Sequence, residues 1–368
     1  MTIDDLALIF TRGVGSRTIA HLIDIFGSAE AVYLASKEEL IMRAELRPEV
    51  ADRIAKREGF VLAYREVDYC RRHAIRAIAA TDDEYPETLR ATSDRPHVLF
   101  VRGNVDALSR RLLSMVGTRN MSPGAQDVCN RLIEQLGERV DNLSIVSGLA
   151  YGVDAACHRA ALAYGVNTIA VVASTLPSVT PTVHTALADS IVESGGAIVS
   201  ELHSQSPQNG ALFLARNRII AGLSMGTIVV ESPASGGSLA TADMADSYGR
   251  TVMAVPGRIS DSASFGTNNL IRSGKARLVL TAEDIIEDMG WSCDKCERGA
   301  ADADCGIVDG LDPATRIVYD AVAATTAISL SELLDKTHMS MGELAMVIMN
   351  LELLGLVRKL PGQRYELV

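Results

Sequence analysis

Between residues 112 and 288, short apolar runs rich in β-branched residues alternate repeatedly with stretches of helical period, and few folds accommodate that rhythm. The runs lie at 112–116, 143–146, 168–172, 197–199, 227–230 and 251–255. Each is too short for a helix and almost wholly apolar, the pattern of a strand covered on both faces. Helix patterns fill the gaps at 125–136, 155–164, 216–223 and 239–248. Such β–α alternation predicts an α/β fold with an open, doubly wound parallel sheet and right-handed crossovers. A ligand of such a sheet sits beyond the carboxyl ends of its strands.

The flanks differ. Residues 1–111 read as mainly helical, with apolar groups at 6–9, 19–23 and 50–54, a tight turn at Gly13 and Gly15, and short apolar runs and turns from 73 to 100. Residues 289–311 form a polar linker rich in Gly, Asp and Ala. Beyond it, 313–323, 330–336 and 341–354 read as three helices, the last capped by Ser340. The runs 356–360 and 364–367 then flank a turn at Pro361-Gly362. Three helices and a hairpin, in that order, predict a winged helix. The expected division is therefore 1–72 helical, 73–289 sheet domain, 290–311 linker and 312–368 winged helix.

At 368 residues the chain is long enough for two or three domains, and 48% hydrophobic content supports a real core. The start, Met1-Thr2-Ile3-Asp4-Asp5, is acidic where a signal peptide is basic, and no apolar run reaches membrane-spanning length. Six cysteines without a secretory signal fit a reducing cytoplasm. The net charge is −11, and no third of the chain is basic. Residues 1–111 carry −1, residues 112–290 carry −5 and residues 291–368 carry −5. Any binding of nucleic acid must then rest on a few well-placed groups and not on a basic field.

Four strand ends carry the small residues that let a backbone approach an anion. The first is Gly117-Thr118-Arg119, followed by Ser122-Pro123 as N-cap and first helical residue. A helix N-terminus there adds partial positive charge, and Arg119 offers a forked donor matched to phosphate. The second runs from Ser147-Gly148 to Gly152-Val153-Asp154, the third from Glu231 to Gly236-Gly237-Ser238, and the fourth from Val255-Pro256-Gly257 to Asn268. One glycine turn is ordinary; four on one sheet edge point to a ligand. Gly117 to Ser122 lacks the Gly-x-Gly-x-x-Gly spacing of a dinucleotide site, and no Gly-Lys-Ser/Thr occurs, so NAD and P-loop chemistry are not expected. Arg216-Asn217-Arg218 reads as a helix start, where two arginines oppose the helix dipole unless an anion lies between them.

These residues carry a family likeness. Val116-Gly117-Thr118-Arg119, the loop from Ser147 through Asp154 to His158, and Arg216-Asn217-Arg218-Ile219-Ile220-Ala221-Gly222-Leu223-Ser224 resemble motifs of the DprA/Smf family. Gly236-Gly237-Ser238-Leu239-Ala240-Thr241-Ala242, Ala254-Val255-Pro256-Gly257 and Asn268 to Gly274 follow in that family's order and spacing. The N-terminal helices resemble its helix-hairpin-helix or SAM-like segment, and the C-terminal part its winged helix. The resemblance implies an extended Rossmann-like domain that binds single-stranded DNA through phosphates, dimerises, and loads RecA on incoming DNA without acting as an enzyme or needing a cofactor. It implies Gly117, Thr118, Arg119, Ser147, Gly148, Arg216, Asn217, Arg218, Gly236, Gly237 and Ser238 as the DNA site. The family's basic residue after Tyr-Pro is absent, and Thr180-Pro181-Thr182-Val183-His184 takes its place, which shifts that role to His184.

Other signals are weaker. Cys293, Cys296 and Cys305 lack a fourth zinc ligand, and Cys70, Cys129 and Cys157 read as small buried hydrophobes. Helix 341–354 has Glu343 and Glu352 but no Lys or Arg, so this winged helix reads as a protein-docking or regulatory unit. The competing reading is a Rossmann-like (LOG-type) nucleotide hydrolase. Such an enzyme needs a catalytic Glu after its glycine loop, where this chain has Leu239 to Ala242.

Overall fold

The computed structural model describes residues 1–207, 209–291, 311–323, 325, 328–337, 339–354, 356–360 and 364–367. They form two compact units, Met1–Ser292 and Cys293–Val368.

The first unit opens with helices α1 (Ile3–Phe10), α2 (Ser16–Phe26), α3 (Ala29–Leu34), α4 (Lys37–Ala44), α5 (Pro48–Ala55) and α6 (Phe60–Arg72). Reciprocal caps start two of them, Thr2 with Asp5 and Ser36 with Glu39, each satisfying two otherwise orphaned donors. This bundle shares its core with the sheet that follows. One buried cluster runs from Leu6, Leu22 and Ile54 to Ala170, Val172 and Ile198. Polar ties cross the same seam. Asp5 pairs with His97 at 3.0 Å, both buried, and Tyr69 donates to the Leu176 carbonyl at 2.8 Å.

The sheet has nine strands: β1 (Ile75–Ala79), β2 (Val98–Gly103), β3 (Arg111–Val116), β4 (Leu143–Ser147), β5 (Asn167–Val171), β6 (Ala197–Ser200), β7 (Gly226–Val229), β8 (Thr251–Ala254) and β9 (Arg277–Leu278). Their order is β1-β2-β6-β5-β4-β3-β7-β8-β9. From β6 to β9 every pairing is parallel, as the alternating pattern predicts, while β1 and β2 add an antiparallel edge. The interleaved helices are α7 (Glu87–Arg90), α8 (Pro123–Arg139), α9 (Val153–Ala163), α10 (Thr185–Glu193), α11 (Ala211–Leu223), α12 (Gly237–Ser247), α13 (Phe265–Arg272) and α14 (Ala282–Asp288). Ser122 caps α8 through the Ala125 N–H, and Pro123 is its first residue, as read from the sequence. From β3 the chain winds first toward β4, β5 and β6, then returns to β3's other side with β7 and β8. β3 and β7 thus bracket the topological switch point.

In the second unit, helices Pro313–Ala323, Leu330–Thr337 and Met341–Leu353 pack on a small sheet of β10 (Ile328–Ser329), β12 (Arg364–Leu367) and β11 (Val357–Leu360). Leu344, Ile348 and Leu351 turn one stripe of the third helix into the core with Val318, Val322 and Leu333. Its outer face carries exposed Met346 and Met349. Ser340 caps it, paired with Glu343. Cys293, Cys296 and Cys305 lie outside the described residues, whereas Cys70, Cys129 and Cys157 are buried and free. No helix among the described residues is long and apolar enough to cross a membrane.

Candidate nucleic-acid interface

A cavity of about 460 Å³ opens at the switch point. Three of the four loops reach it, from the ends of β3, β4 and β7, and α11 supplies the remaining wall.

Gly117 follows β3 because nothing larger fits: a Cβ there would lie 2.5 Å from Val153 Cγ2 and 2.9 Å from the Glu231 carbonyl oxygen. Thr118 is held from both sides, its N–H donating to the Glu231 carbonyl (2.8 Å) and its carbonyl accepting from Val153 N–H (3.1 Å). Arg119, the next residue, is exposed and makes no ion pair among the described residues; its guanidinium lies 5.5 Å from the Phe213 ring centroid.

Helix α8 does not offer its N-terminus to a ligand, contrary to the reading from sequence. Buried Glu231 already sits there, accepting from Ser122 N–H at 2.8 Å and from its hydroxyl at 2.7 Å. The open helix end belongs to α12, which begins at Gly237 without a side-chain cap. Its first residues, with the Gly236 that precedes them, line the cavity, and a helix start carries N–H groups without intrahelical partners and partial positive charge. Asn217 fixes this end by donating to the Gly237 carbonyl at 3.2 Å, and Ser238 donates to Ser232 at 2.9 Å. The fourth loop braces the third from behind, Gly266 N–H donating to the Ser232 carbonyl at 2.8 Å, and does not line the cavity.

The arginines of α11 correct a second expectation. The helix begins at Ala211, so Arg216 and Arg218 are its sixth and eighth residues and do not crowd its positive end. Arg216 is buried in the cavity floor and donates from Nη1 to the carbonyls of Gly148 (2.6 Å) and Val171. Burial draws its pKa down to about 10, which leaves it cationic at neutral pH. Buried Asp154 lies in the same wall and accepts from Ala150 N–H at 3.3 Å. Burial raises its pKa above the usual carboxylate range against the pull of Arg216. Arg218 points elsewhere and pairs with Glu201.

Two further residues read as DNA ligands lie buried and do not line the cavity. Ser147 is fully buried, donating to the Met115 carbonyl at 2.6 Å. His184 is also buried; its Nδ1 donates to the Leu149 carbonyl at 2.8 Å and its ring lies 5.2 Å from that of Tyr151, so it holds the β4 loop from behind. Gly148 meets the cavity only indirectly, through Arg216. The structure therefore gathers Gly117, Thr118, Arg119, Arg216, Asn217, Gly236, Gly237 and Ser238 around one cavity and sets Ser147, Arg218 and His184 outside it. It adds Phe213, missed in the sequence although it stands one helical turn before Asn217 on the same face.

Fold and cavity together define a Rossmann-like protein with a cleft at the switch point of its sheet and a separate winged-helix unit. Family models agree: that of DNA recombination-mediator protein A matches residues 76–290, and that of the DprA winged helix domain matches 308–363. The chain belongs to the DNA recombination-mediator protein A (DprA/Smf) family. It is 35% identical to DNA processing protein DprA of Bacillus subtilis over 250 residues, covering 68% of this chain and 81% of the relative. It is 42% identical to Protein Smf of Escherichia coli over 212 residues, covering 58% of this chain and only 56% of the relative. Its fold matches DNA processing protein A from Streptococcus pneumoniae with a TM-score of 0.63 at 30% identity, over 78% of this chain and 98% of the other. A Helicobacter pylori DNA processing protein A, described for its single-stranded DNA binding mode, matches with a TM-score of 0.52 at 26% identity, over 58% of this chain and 94% of the other.

Proposed function

We propose that the chain is a single-stranded DNA-binding recombination mediator that protects incoming strands in the cytoplasm and loads the RecA recombinase on them during natural transformation. The observation that carries this reading is one cavity lined by Arg119, which makes no ion pair among the described residues, by the uncapped N-terminus of α12 and by the buried cation Arg216. Anion-binding groups gathered around one cavity suit a phosphodiester backbone. The net charge of −11 does not oppose it, because the seat needs few donors. Two copies associate through the Rossmann-like domain, for which the short edge strand β9, with Leu278 in it and Leu280 just beyond it exposed, offers a face.

The test is a titration of the full chain against labelled single- and double-stranded oligonucleotides of one sequence. Preferential binding of the single strand is expected. Equal or stronger binding of the duplex, or none at all, overturns the reading. RecA loading is read separately, as faster filament nucleation on single strands in the presence of the protein.

A further inference from the structure

Two further cavities share no lining residue with the one at the switch point, but share Ser16 and His97 with each other. The smaller, of about 80 Å³, is also lined by Thr81, Arg90 and Arg95. The larger, of about 310 Å³, has Ile9, Val14, Ile19, Val98, Leu202 and Leu212 in its wall. We infer that together they form a binding site for a small phosphate monoester, its phosphate in the smaller cavity and an apolar or aromatic body in the larger. Such a site is independent of the DNA seat.

The smaller cavity is cationic. No Asp or Glu is among its described lining residues, and neither Arg90 nor Arg95 makes an ion pair among the described residues. Arg90 is fixed in place by donating to the carbonyls of Ala80 (3.0 Å), Asp82 and Tyr85 (3.1 Å), none of which neutralises its charge. Arg95 is half-buried and makes only a long hydrogen bond, 3.4 Å, to the Thr92 carbonyl. A cation drawn partly out of water without a counter-ion carries a cost that a bound phosphate removes. Helix α2 adds to the field. It begins at Ser16 without a side-chain cap, and a helix start carries N–H groups without intrahelical partners and partial positive charge.

His97 supplies the independent sign of a ligand. It is buried, 5% exposed; its Nε2 lies 3.0 Å from Asp5 Oδ1, and its Nδ1 has no partner among the described residues. Against its own burial, hydrogen bonds from His97 and Thr2 hold the Asp5 pKa below the usual range, so the carboxylate takes the Nε2 proton and Nδ1 is left open. A phosphate monoester has a second pKa near 6 and can offer a P–OH as well as accept, which a diester cannot. The hydroxyls of Ser16 and Thr81 are likewise without partners among the described residues. The larger cavity suits the rest of such a ligand, since its volume falls in the range of small-molecule pockets, ~300–1,000 Å³. Its walls are mostly apolar. Of its polar residues, Glu201 is already paired with Arg218, and the His203 ring lies 4.4 Å from that of Phe10.

Calorimetric titration of the full-length protein with phenyl phosphate and adenosine 5′-monophosphate, beside inorganic phosphate and adenosine, tests the site. At least one ester is expected to bind more tightly than inorganic phosphate, and adenosine is expected not to bind. Arg95→Gln should weaken the ester on the order of tenfold, the worth of one charge-assisted hydrogen bond. Ser16→Asp puts a carboxylate at the helix start, which suits the helix dipole and so spares the fold, and should abolish ester binding. Arg119→Ala, in the cavity at the switch point, should leave it unchanged. No binding of either ester to the wild-type protein, binding no tighter than that of inorganic phosphate, or binding that survives both Arg95→Gln and Ser16→Asp overturns the site. Loss of ester binding in Arg119→Ala assigns it to the switch-point cavity and overturns the site equally.

Discussion

Gly148 lacks a side chain because Arg216 occupies the space one would fill. A Cβ on Gly148 would collide with Arg216 Nη1 and lie 2.5 Å from Asp154 Oδ2. Gly148→Ala is therefore expected to cost about 1–3 kcal/mol, the range for overfilling a packed site. Denaturant midpoints check this. An unchanged midpoint would mean that the guanidinium is not confined between the Gly148 and Val171 carbonyls.

Arg218 and Glu201 form a half-buried pair, with side chains 15% and 18% exposed. Burial raises the Glu201 pKa even with the arginine beside it. Arg218→Ala strands that carboxylate and should destabilise the fold by roughly 2 kcal/mol, below the full cost for a deeply buried pair. Glu201→Gln in the same chain should recover part of the loss. Thermal melts of the three variants decide the matter, and single-strand affinity should follow only the folded fraction.

Arg119→Ala is expected to weaken single-strand binding for every sequence and to flatten the salt dependence of log K by about 0.7, the contribution of one phosphate on a single strand. Affinity measured across a salt series tests it. Wild-type values for both would remove the Gly117–Arg119 loop from the interface.

His158 gives the fold a pH dependence. Its Nδ1 donates to the Thr168 hydroxyl at 2.8 Å, while Nε2 is buried without a partner. Burial, reinforced by His184 and Arg216, depresses its pKa from 6.5 to about 3. The folded chain thus refuses a proton that the unfolded chain takes below pH 6.5. Stability falls as pH drops through that window, by up to about 1.4 kcal/mol per unit. In His158→Asn this slope should be shallower between pH 6 and 4, as followed by urea denaturation. An identical slope would assign the acid sensitivity to other groups.

Deleting residues 311–368 should leave single-strand binding largely intact. The winged-helix unit is compact by itself, and its third helix shows Met346 and Met349 to solvent with no basic residue along it. Loss of most affinity in a folded truncation would show that this unit contacts DNA directly.

The strands of the parallel sheet were legible because burial on both faces leaves an unmistakable apolar run, as at Leu112-Leu113 and Ile169-Ala170. β1 was not, since Arg76 breaks its run at an exposed edge position, nor was β9, with two residues. The glycine loops were legible as loops, but their division of labour was not. Arg216 reaches the carbonyls of Gly148 and Val171, 68 and 45 positions away, and carbonyls leave no trace in a sequence. The start of α11 was hidden too, because its N-cap is Gly210, which has no side chain to mark it.

Glu231 on the α8 end leaves the cavity with one exposed cation among its described lining residues, Arg119, on a chain of net charge −11. Such a molecule repels a polyanion at a distance and attracts it only on contact. Encounter is then unassisted by long-range steering, and moderate salt should quicken association even as it loosens the bound state.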